Sequence, residues 1–164
     1  MNKTDVKMRQ YGRQDIPQMT TLWNSVVEAG NAFPQEKPMD EEEAAAFFGG
    51  QSYTGVAVRE GEIVGLYILH PNNVGRCGHI ANASYAVKQG LRGMHIGETL
   101  VRDSIVRGRG LGFRILQFNA VVADNIAAIR LYERIGFERI GMVRNGFHDK
   151  SGEYKDIVLF YIAL

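Results

Sequence analysis

The stretch that decides the fold is Tyr85-Ala-Val-Lys-Gln-Gly-Leu-Arg-Gly-Met-His-Ile-Gly-Glu-Thr-Leu100. It reads as the end of a strand, a glycine-rich turn and the start of a helix. A helix start offers backbone N–H groups without partners and the positive end of the helix dipole, so an anion can rest there. Gly93 and Gly97 allow close backbone approach or a positive φ, and Lys88 and Arg92 supply charge. The turn is not a P-loop, because no Gly-Lys-Ser/Thr closes it. It is not a dinucleotide fingerprint either, because it lies mid-chain and not after the first strand of a βαβ unit. A phosphate cradle and a plain strand-to-helix turn both remain open on this stretch alone.

Working outward, Ile80–Val87 precedes the turn as a strand, and Ile96 to about Arg107 follows it as an amphipathic helix. Ile96, Gly97, Leu100, Val101, Ser104 and Ile105 share one side of that helix; Glu98, Thr99, Arg102 and Asp103 lie outside it. Upstream, Val6–Tyr11 reads as a strand, and Asp15 is expected to cap a helix running to about Glu28, with Pro17 in its first turn. Asp40 caps a second helix to Phe48, its Glu41, Glu42 and Glu43 suiting the positive helix start. Tyr53–Arg59 and Ile63–His70 flank a glycine hairpin at Glu60-Gly61-Glu62. Downstream come a strand at Ile115–Val122, a helix at Asn125–Ile135, and strands at Arg139–Arg144 and Ile157–Leu164. The intervening 145–154 reads as a flexible hairpin loop. The last strand is apolar enough to suggest burial on both faces or a subunit contact. The order β-α-α-β-β-β-α-β-α-β-β describes a mixed α/β sheet with helices on its faces.

Composition narrows the function. The 164 residues suit one domain spanning 1–164, and 45% hydrophobic with 23% charged residues excludes wholesale disorder. A net charge of +1 offers no global attraction for nucleic acid or an anionic membrane. Residues 51–110 carry seven basic and four acidic groups, which makes the middle of the chain the place for an anionic ligand. The single cysteine, Cys77, forbids an intrachain disulfide and a multi-cysteine zinc site, and no metal is expected. No signal-like or membrane-spanning apolar run is present in the sequence, so the expected location is cytoplasmic.

A second motif is Asn125-Ile-Ala-Ala-Ile-Arg-Leu-Tyr-Glu-Arg-Ile-Gly-Phe137. Ala128, Ile129, Leu131, Tyr132 and Ile135 share a face, with Asn125 a good cap and Gly136 a good stop. By periodicity alone Tyr132 is a core residue; it becomes chemical only if a leaving group reaches it.

Together the two motifs resemble those of the GCN5-related N-acetyltransferase (GNAT) superfamily. Its acetyl-CoA loop reads Gln/Arg-x-x-Gly-x-Gly/Ala five residues after a strand-ending valine; here Val87 is followed by Arg92-Gly-Met-His-Ile-Gly. Its later motif, Asn-x-x-Ala-x-x-x-Tyr-x-x-x-Gly-Phe, matches Asn125 through Phe137. The specific part covers about 80–137, and the element order about 4–164.

The resemblance implies a mostly antiparallel twisted sheet of about seven strands, with two splayed central strands and about four helices. It implies acetyl-CoA as co-substrate, held by Val87, Arg92, Gly93, Met94, His95, Ile96, Gly97, Glu98, Thr99 and Asn125. It implies direct attack of a primary or secondary amine on the thioester, with the Val87 backbone at the carbonyl and Tyr132 as general acid to the thiolate. His95 departs from the pattern, standing where the family usually has its first motif glycine. Its N–H survives, but a positive φ there would strain a histidine. Its ring could donate to a phosphate or point into solvent.

The acceptor is less marked. Asn82 and Asn119 sit inside strands, where asparagine is disfavoured and calls for a buried partner or a ligand. Arg76-Cys-Gly-His-Ile-Ala-Asn-Ala-Ser84 and Phe118-Asn119 are similar to fungal acetyltransferases acting on proline analogues, in which matching asparagines hold substrate. A small amino-acid-like amine is therefore the expected acceptor, with Trp23, Phe33 and Phe48 available as pocket walls or core. Alternatives are a protein or peptide N-acetyltransferase and a non-catalytic acyl-CoA-binding module. No general base is assigned among His79, His70, Glu28, Glu36 and a water relay. The resemblance also makes a homodimer possible; no nucleic-acid or membrane partner is expected.

Overall fold

The computed structural model describes residues 5–91 and 93–164. The elements are β1 (Lys7–Gln10), α1 (Ile16–Ala29), α2 (Glu41–Gly49), β2 (Tyr53–Arg59), β3 (Glu62–Pro71), β4 (Ile80–Val87), α3 (Ile96–Gly110), β5 (Ile115–Val122), α4 (Ile126–Ile135), β6 (Glu138–His148) and β7 (Tyr154–Ala163). One sheet takes the order β1-β2-β3-β4-β5-β7-β6. Every neighbouring pair is antiparallel except β4 and β5, which run parallel. The expected seven-stranded mixed α/β sheet with four helices is what the chain forms.

Each face of the sheet carries its own core. Under α1 and α2 lie Met19, Trp23, Phe48, Val56 and Leu66; under α3 and α4 lie Tyr67, Leu69, Leu100, Leu116, Phe118 and Phe160. Trp23 is fully enclosed by Phe33, Phe47 and Phe48, with ring centroids 4.3, 5.3 and 5.7 Å away. α3 packs tightly because Gly65 of β3 has no side chain; a Cβ there would lie 2.9 Å from Ile96 Cγ2 and 3.0 Å from Leu100 Cδ1. α2 starts as expected, with Asp40 and Glu43 each accepting the other's backbone N–H.

Three local readings need correction. Asp15 does not cap α1 with its side chain. Its backbone is already helical, after a 3-10 turn at Arg13–Asp15, and its carboxylate instead takes Arg9 (2.6 and 2.9 Å) and the Gly12 N–H (2.7 Å). The loop expected over 145–154 is confined to the turn at 149–153, because β6 runs to His148 and β7 starts at Tyr154. β7 is not buried on both faces: Val158 and Phe160 are buried, and most of their neighbours are half-exposed. Only its α4-facing side is covered, and β6 beside it is exposed along almost its whole length.

Candidate active site

The feature that makes a site is the seam between β4 and β5. These strands pair only at Ile80–Ile115 and Ala81–Leu116, and past that point they diverge. β5 also slips against β7 between Phe118 and Val121, which leaves Asn119 and Ala120 exposed at the widening gap. The phase of the β3–β4 ladder decides what faces the gap. Asn72 N–H bonds Ile80 O and Lys88 N–H bonds Val64 O, so in this register the even-numbered β4 residues bond β3. The backbone groups of Ala83, Tyr85 and Val87 therefore turn away from β3, into the opening.

At the far end of β4 the chain enters the glycine turn. Gly90 and Gly93 have φ of 83° and 77°, and His95 follows at φ 53°, ψ 28° as the residue before α3. The position does require a left-handed backbone, and histidine adopts it at a cost glycine would not bear. The first turn of α3 carries no side-chain cap. Thr99 donates from both its N–H and its hydroxyl to His95 O. Ile96 is buried against the sheet, and Met94 is half-buried beside the same core.

The Glu98 carboxylate is taken up by Arg102 (2.8 and 2.9 Å) and by Arg134 of α4 (3.0 Å), which hold its pKa below the usual range. Only its backbone remains to face a ligand. Gly97 is helical, and an added Cβ would meet nothing closer than Leu131 Cδ2 at 3.5 Å, so the fold itself does not require glycine there. Arg92, also expected in this cradle, lies outside the described residues. The Lys88 ammonium pairs with Glu62 across the base of the turn.

Tyr132 reaches the gap from α4. Its ring lies 4.6 Å from Phe118, 5.6 Å from Phe137, 5.8 Å from Phe160 and 6.5 Å from Tyr85. Desolvation among these rings pushes its phenol pKa up to about 12. Two other tyrosines sit on the same aromatic ladder, and α3 ties both down. Tyr67 donates to Asp103 at 2.6 Å, and the Tyr85 hydroxyl meets Ser104 Oγ at 2.8 Å. Burial raises both of their pKa values as well. Among the described residues no group hydrogen-bonds the Tyr132 hydroxyl, and the residue lines the gap.

The gap opens into a cavity of about 280 Å³ lined by Asn82, Ser84, Tyr85, Asn119, Asn125, Ala128 and Tyr132, with Ala32, Phe33 and Pro34 across from them. The structure thus brings Tyr132, Asn125, Asn82 and Asn119 together at one opening. Asn125 caps α4 by accepting the Ala128 N–H at 3.2 Å. Asn82 accepts only the neighbouring Ala83 N–H. Asn119 donates to Asn72 Oδ1 at 2.5 Å and accepts from Gln117 at 3.1 Å, so its needs are met by exposed amides and not by a buried partner. Ser84 and the Ala32–Pro34 loop complete the lining. Ser84 was legible as the residue two after Asn82 on the same strand face; the loop's approach was not.

None of the base candidates lines this cavity. His70 Nδ1 lies 2.9 Å from the adjacent Pro71 O, and His79 is exposed. Glu28 and Glu36 instead line a neighbouring cavity of about 510 Å³ with Phe33, Phe147, His148 and Asp149; the two spaces share Phe33 and Pro34. Among the described residues no cluster of His, Cys, Asp or Glu could hold a metal ion.

The acetyltransferase (GNAT) family matches residues 19–137. N-acetyltransferase aca1 of Schizosaccharomyces pombe is 29% identical over 160 residues, spanning 87% of this chain and 77% of that protein. An L-methionine sulfoximine/L-methionine sulfone acetyltransferase of Pseudomonas aeruginosa is 26% identical over 165 residues, spanning 96% and 94%. A GCN5-related N-acetyltransferase from Kribbella flavida superposes with a TM-score of 0.89 at 30% identity, covering 97% of this chain and 98% of that one. With its parted central strands, glycine turn and gap-facing tyrosine, the chain belongs to the acetyltransferase (GNAT) family.

Proposed function

We propose that this protein moves an acetyl group from acetyl-CoA to a small, amino-acid-like amine by direct attack, with Tyr132 as general acid. The observation that carries the reading is the contrast among three tyrosines of one aromatic ladder: the Tyr67 and Tyr85 hydroxyls are bonded to α3, and the Tyr132 hydroxyl, at the lining of the gap, has no such partner among the described residues. Acetyl-CoA supplies an activated thioester carbonyl. The residues present fit it, since the gap faces backbone groups of Tyr85 and Val87 that β3 does not take, and the turn offers an uncapped helix start beside a glycine the fold does not need.

In this reading the N–H groups of Arg92 through Gly97, near the start of α3, hold the pyrophosphate. The Val87 backbone, turned into the gap, positions the pantetheine arm and polarises the carbonyl. Asn125 holds α4 in place and borders the same arm. Tyr132, with its pKa near 12, stays in its acid form throughout the neutral range and donates to the departing sulfur, while the proton shed by the attacking amine passes to solvent water, from which Tyr132 is reprotonated. Asn82, Ser84 and Asn119 present amide and hydroxyl groups to the acceptor. Most of the acceleration comes from holding amine and thioester together. A small amino-acid-like acceptor suits the roughly 280 Å³ opening and the relative that acts on methionine sulfoximine. Proline-like ring amines belong on the same test panel, given the local resemblance around Asn82 and Asn119.

The test is thiol release from acetyl-CoA against amino acids, cyclic imino acids, polyamines, aminoglycosides and short peptides, with Tyr132→Phe in parallel. Release is expected with an amino-acid-like amine, with kcat falling about 10²-fold in the variant while CoA affinity holds. Undiminished turnover in Tyr132→Phe would remove the tyrosine from the mechanism. Release only with peptides would replace the small-molecule acceptor.

A further inference from the structure

Two cavities meet behind the gap, and one side chain stands between them. The opening at Tyr132 encloses about 280 Å³, and the cavity lined by Glu28, Glu36, Phe147 and His148 encloses about 510 Å³. Phe33 and Pro34 are common to both linings. Phe33 is only 8% exposed, and its ring lies 4.3 Å from Trp23 at an interplanar angle of 32°. Trp23 is in turn held by Phe47 and Phe48, so the Phe33 ring rests on the close-packed core under α1 and α2.

The backbone around Phe33 is held differently. Residues 31–38 form no hydrogen bond or ion pair with any described residue. The segment is fastened at its ends, where Gly30 O accepts the Lys150 N–H and the Asn24 side chain takes both the N–H and the carbonyl of Met39. Between those ends Phe33 is the only buried residue. An aromatic contact, and not a backbone ladder, therefore sets where this wall stands.

We propose that Phe33 is the specificity-determining residue for the acceptor: its ring closes the opening at Tyr132 against the larger cavity and so limits the substituent that an acceptor amine can carry. The inference rests on reading that opening as the acceptor site, and it narrows the acceptor to compact amines. Phe33 is a wall and not a reacting group. Shortening it joins the two spaces and leaves Tyr132, the strand gap and the glycine turn in place, so it changes which amines fit and not the chemical step.

The experiment measures thiol release from acetyl-CoA with a graded series of amino acids, alanine through methionine to phenylalanine, in wild type, Phe33→Ala, Phe33→Leu and Phe47→Leu. Leucine at position 33 keeps an apolar contact with Trp23 should the alanine variant fail to fold. Phe47 also packs on Trp23, with centroids 5.3 Å apart, and lines neither cavity, so Phe47→Leu loosens the same core without opening the partition. The ratio of kcat/KM for phenylalanine to that for alanine is expected to rise about ten-fold or more in the Phe33 variants, through a lower KM for phenylalanine. In Phe47→Leu it is expected to keep its wild-type value. An unchanged ratio in the Phe33 variants, or an equal rise in Phe47→Leu, would overturn the role of Phe33 and leave the acceptor reading standing. Absence of thiol release from wild type and every variant across the whole series would overturn the amino-acid acceptor reading itself, and this inference with it.

Discussion

Asp15 shows how a single residue can hold a place different from the one its neighbours suggest. Only 4% exposed, it accepts both terminal nitrogens of Arg9 and the Gly12 N–H, tying β1 to the start of α1. The hydrogen bond from Arg9 is the main reason its pKa sits below the usual carboxylate value, and burial works against it. A lowered folded pKa stabilises the protein above the unfolded value, near 4, and that contribution is lost as pH falls through the folded one. Asp15→Asn is expected to cost about 1–3 kcal/mol at pH 7. In urea unfolding, the gap between wild type and variant should shrink as the pH is taken below 4. A gap that stays constant down to pH 2 would mean the carboxylate's charge is not what stabilises this junction. Tyr132 works in the opposite direction: its raised pKa favours folding below pH 10, and that share is lost between about 10 and 12.

Among the elements, the β6–β7 hairpin is joined to the end of α1. Lys150 donates its N–H to Gly30 O at 3.0 Å and its ammonium to Glu28 O at 2.9 Å, giving α1 a cationic C-terminal cap from the opposite end of the chain. Asp149 braces the turn from within, accepting from Ser151 and Glu153. Gly30 makes the fit possible: its φ is 66°, and a Cβ there would sit 2.4 Å from Lys150 Cβ. Gly30→Ala is therefore expected to lose at least about 1–2 kcal/mol from the left-handed backbone alone. Lys150→Met is expected to lose about 1 kcal/mol. Hydrogen exchange should quicken at residues 149–153 in both variants while α3 and its turn stay protected. Wild-type exchange in that hairpin for either variant would show that the contact does not hold it down. This hairpin walls the larger of the two adjoining cavities, so its seating sets that space without touching the Tyr132 gap.

At the scale of the molecule, the backbone pairing between β1–β4 and β5–β7 among the described residues is the two-residue parallel contact of β4 with β5, extended by the Arg114 N–H to His79 O. Side chains bridge the rest: Tyr85, Phe118, Tyr132 and Phe160 form one aromatic layer across the seam. A ligand lying in the gap meets both halves, so its binding and the sheet's integrity are coupled. Saturating CoA at about a hundred times its Kd should add about 2.7 kcal/mol to unfolding. Exchange protection should rise at residues 82–87 and 119–122 and not along β1 or β6. Uniform protection, or none at the seam, would place the ligand elsewhere.

Much of this was legible along the chain because it is local. Apolar spacing placed the strands and helices, glycines marked the turn before α3, and the cap and stop around 125–136 put Tyr132 on an inward face. These depend on periods of two and 3.6 residues and on backbone freedom, all contained within a few neighbours. The tertiary structure decided what depends on distance. How far β4 and β5 stay paired follows from the packing of the whole sheet, and it alone turns a seam into a site. Asp103 and Ser104 of α3 take the hydroxyls of Tyr67 and Tyr85 and leave that of Tyr132 without a partner among the described residues, pairings that no local pattern names. Lys150 meets Glu28 across 122 positions of sequence. His95 could be seen to be the wrong residue for a left-handed turn, but only its φ showed that the turn is left-handed, because sterics fix backbone conformation only once the flanking elements are docked.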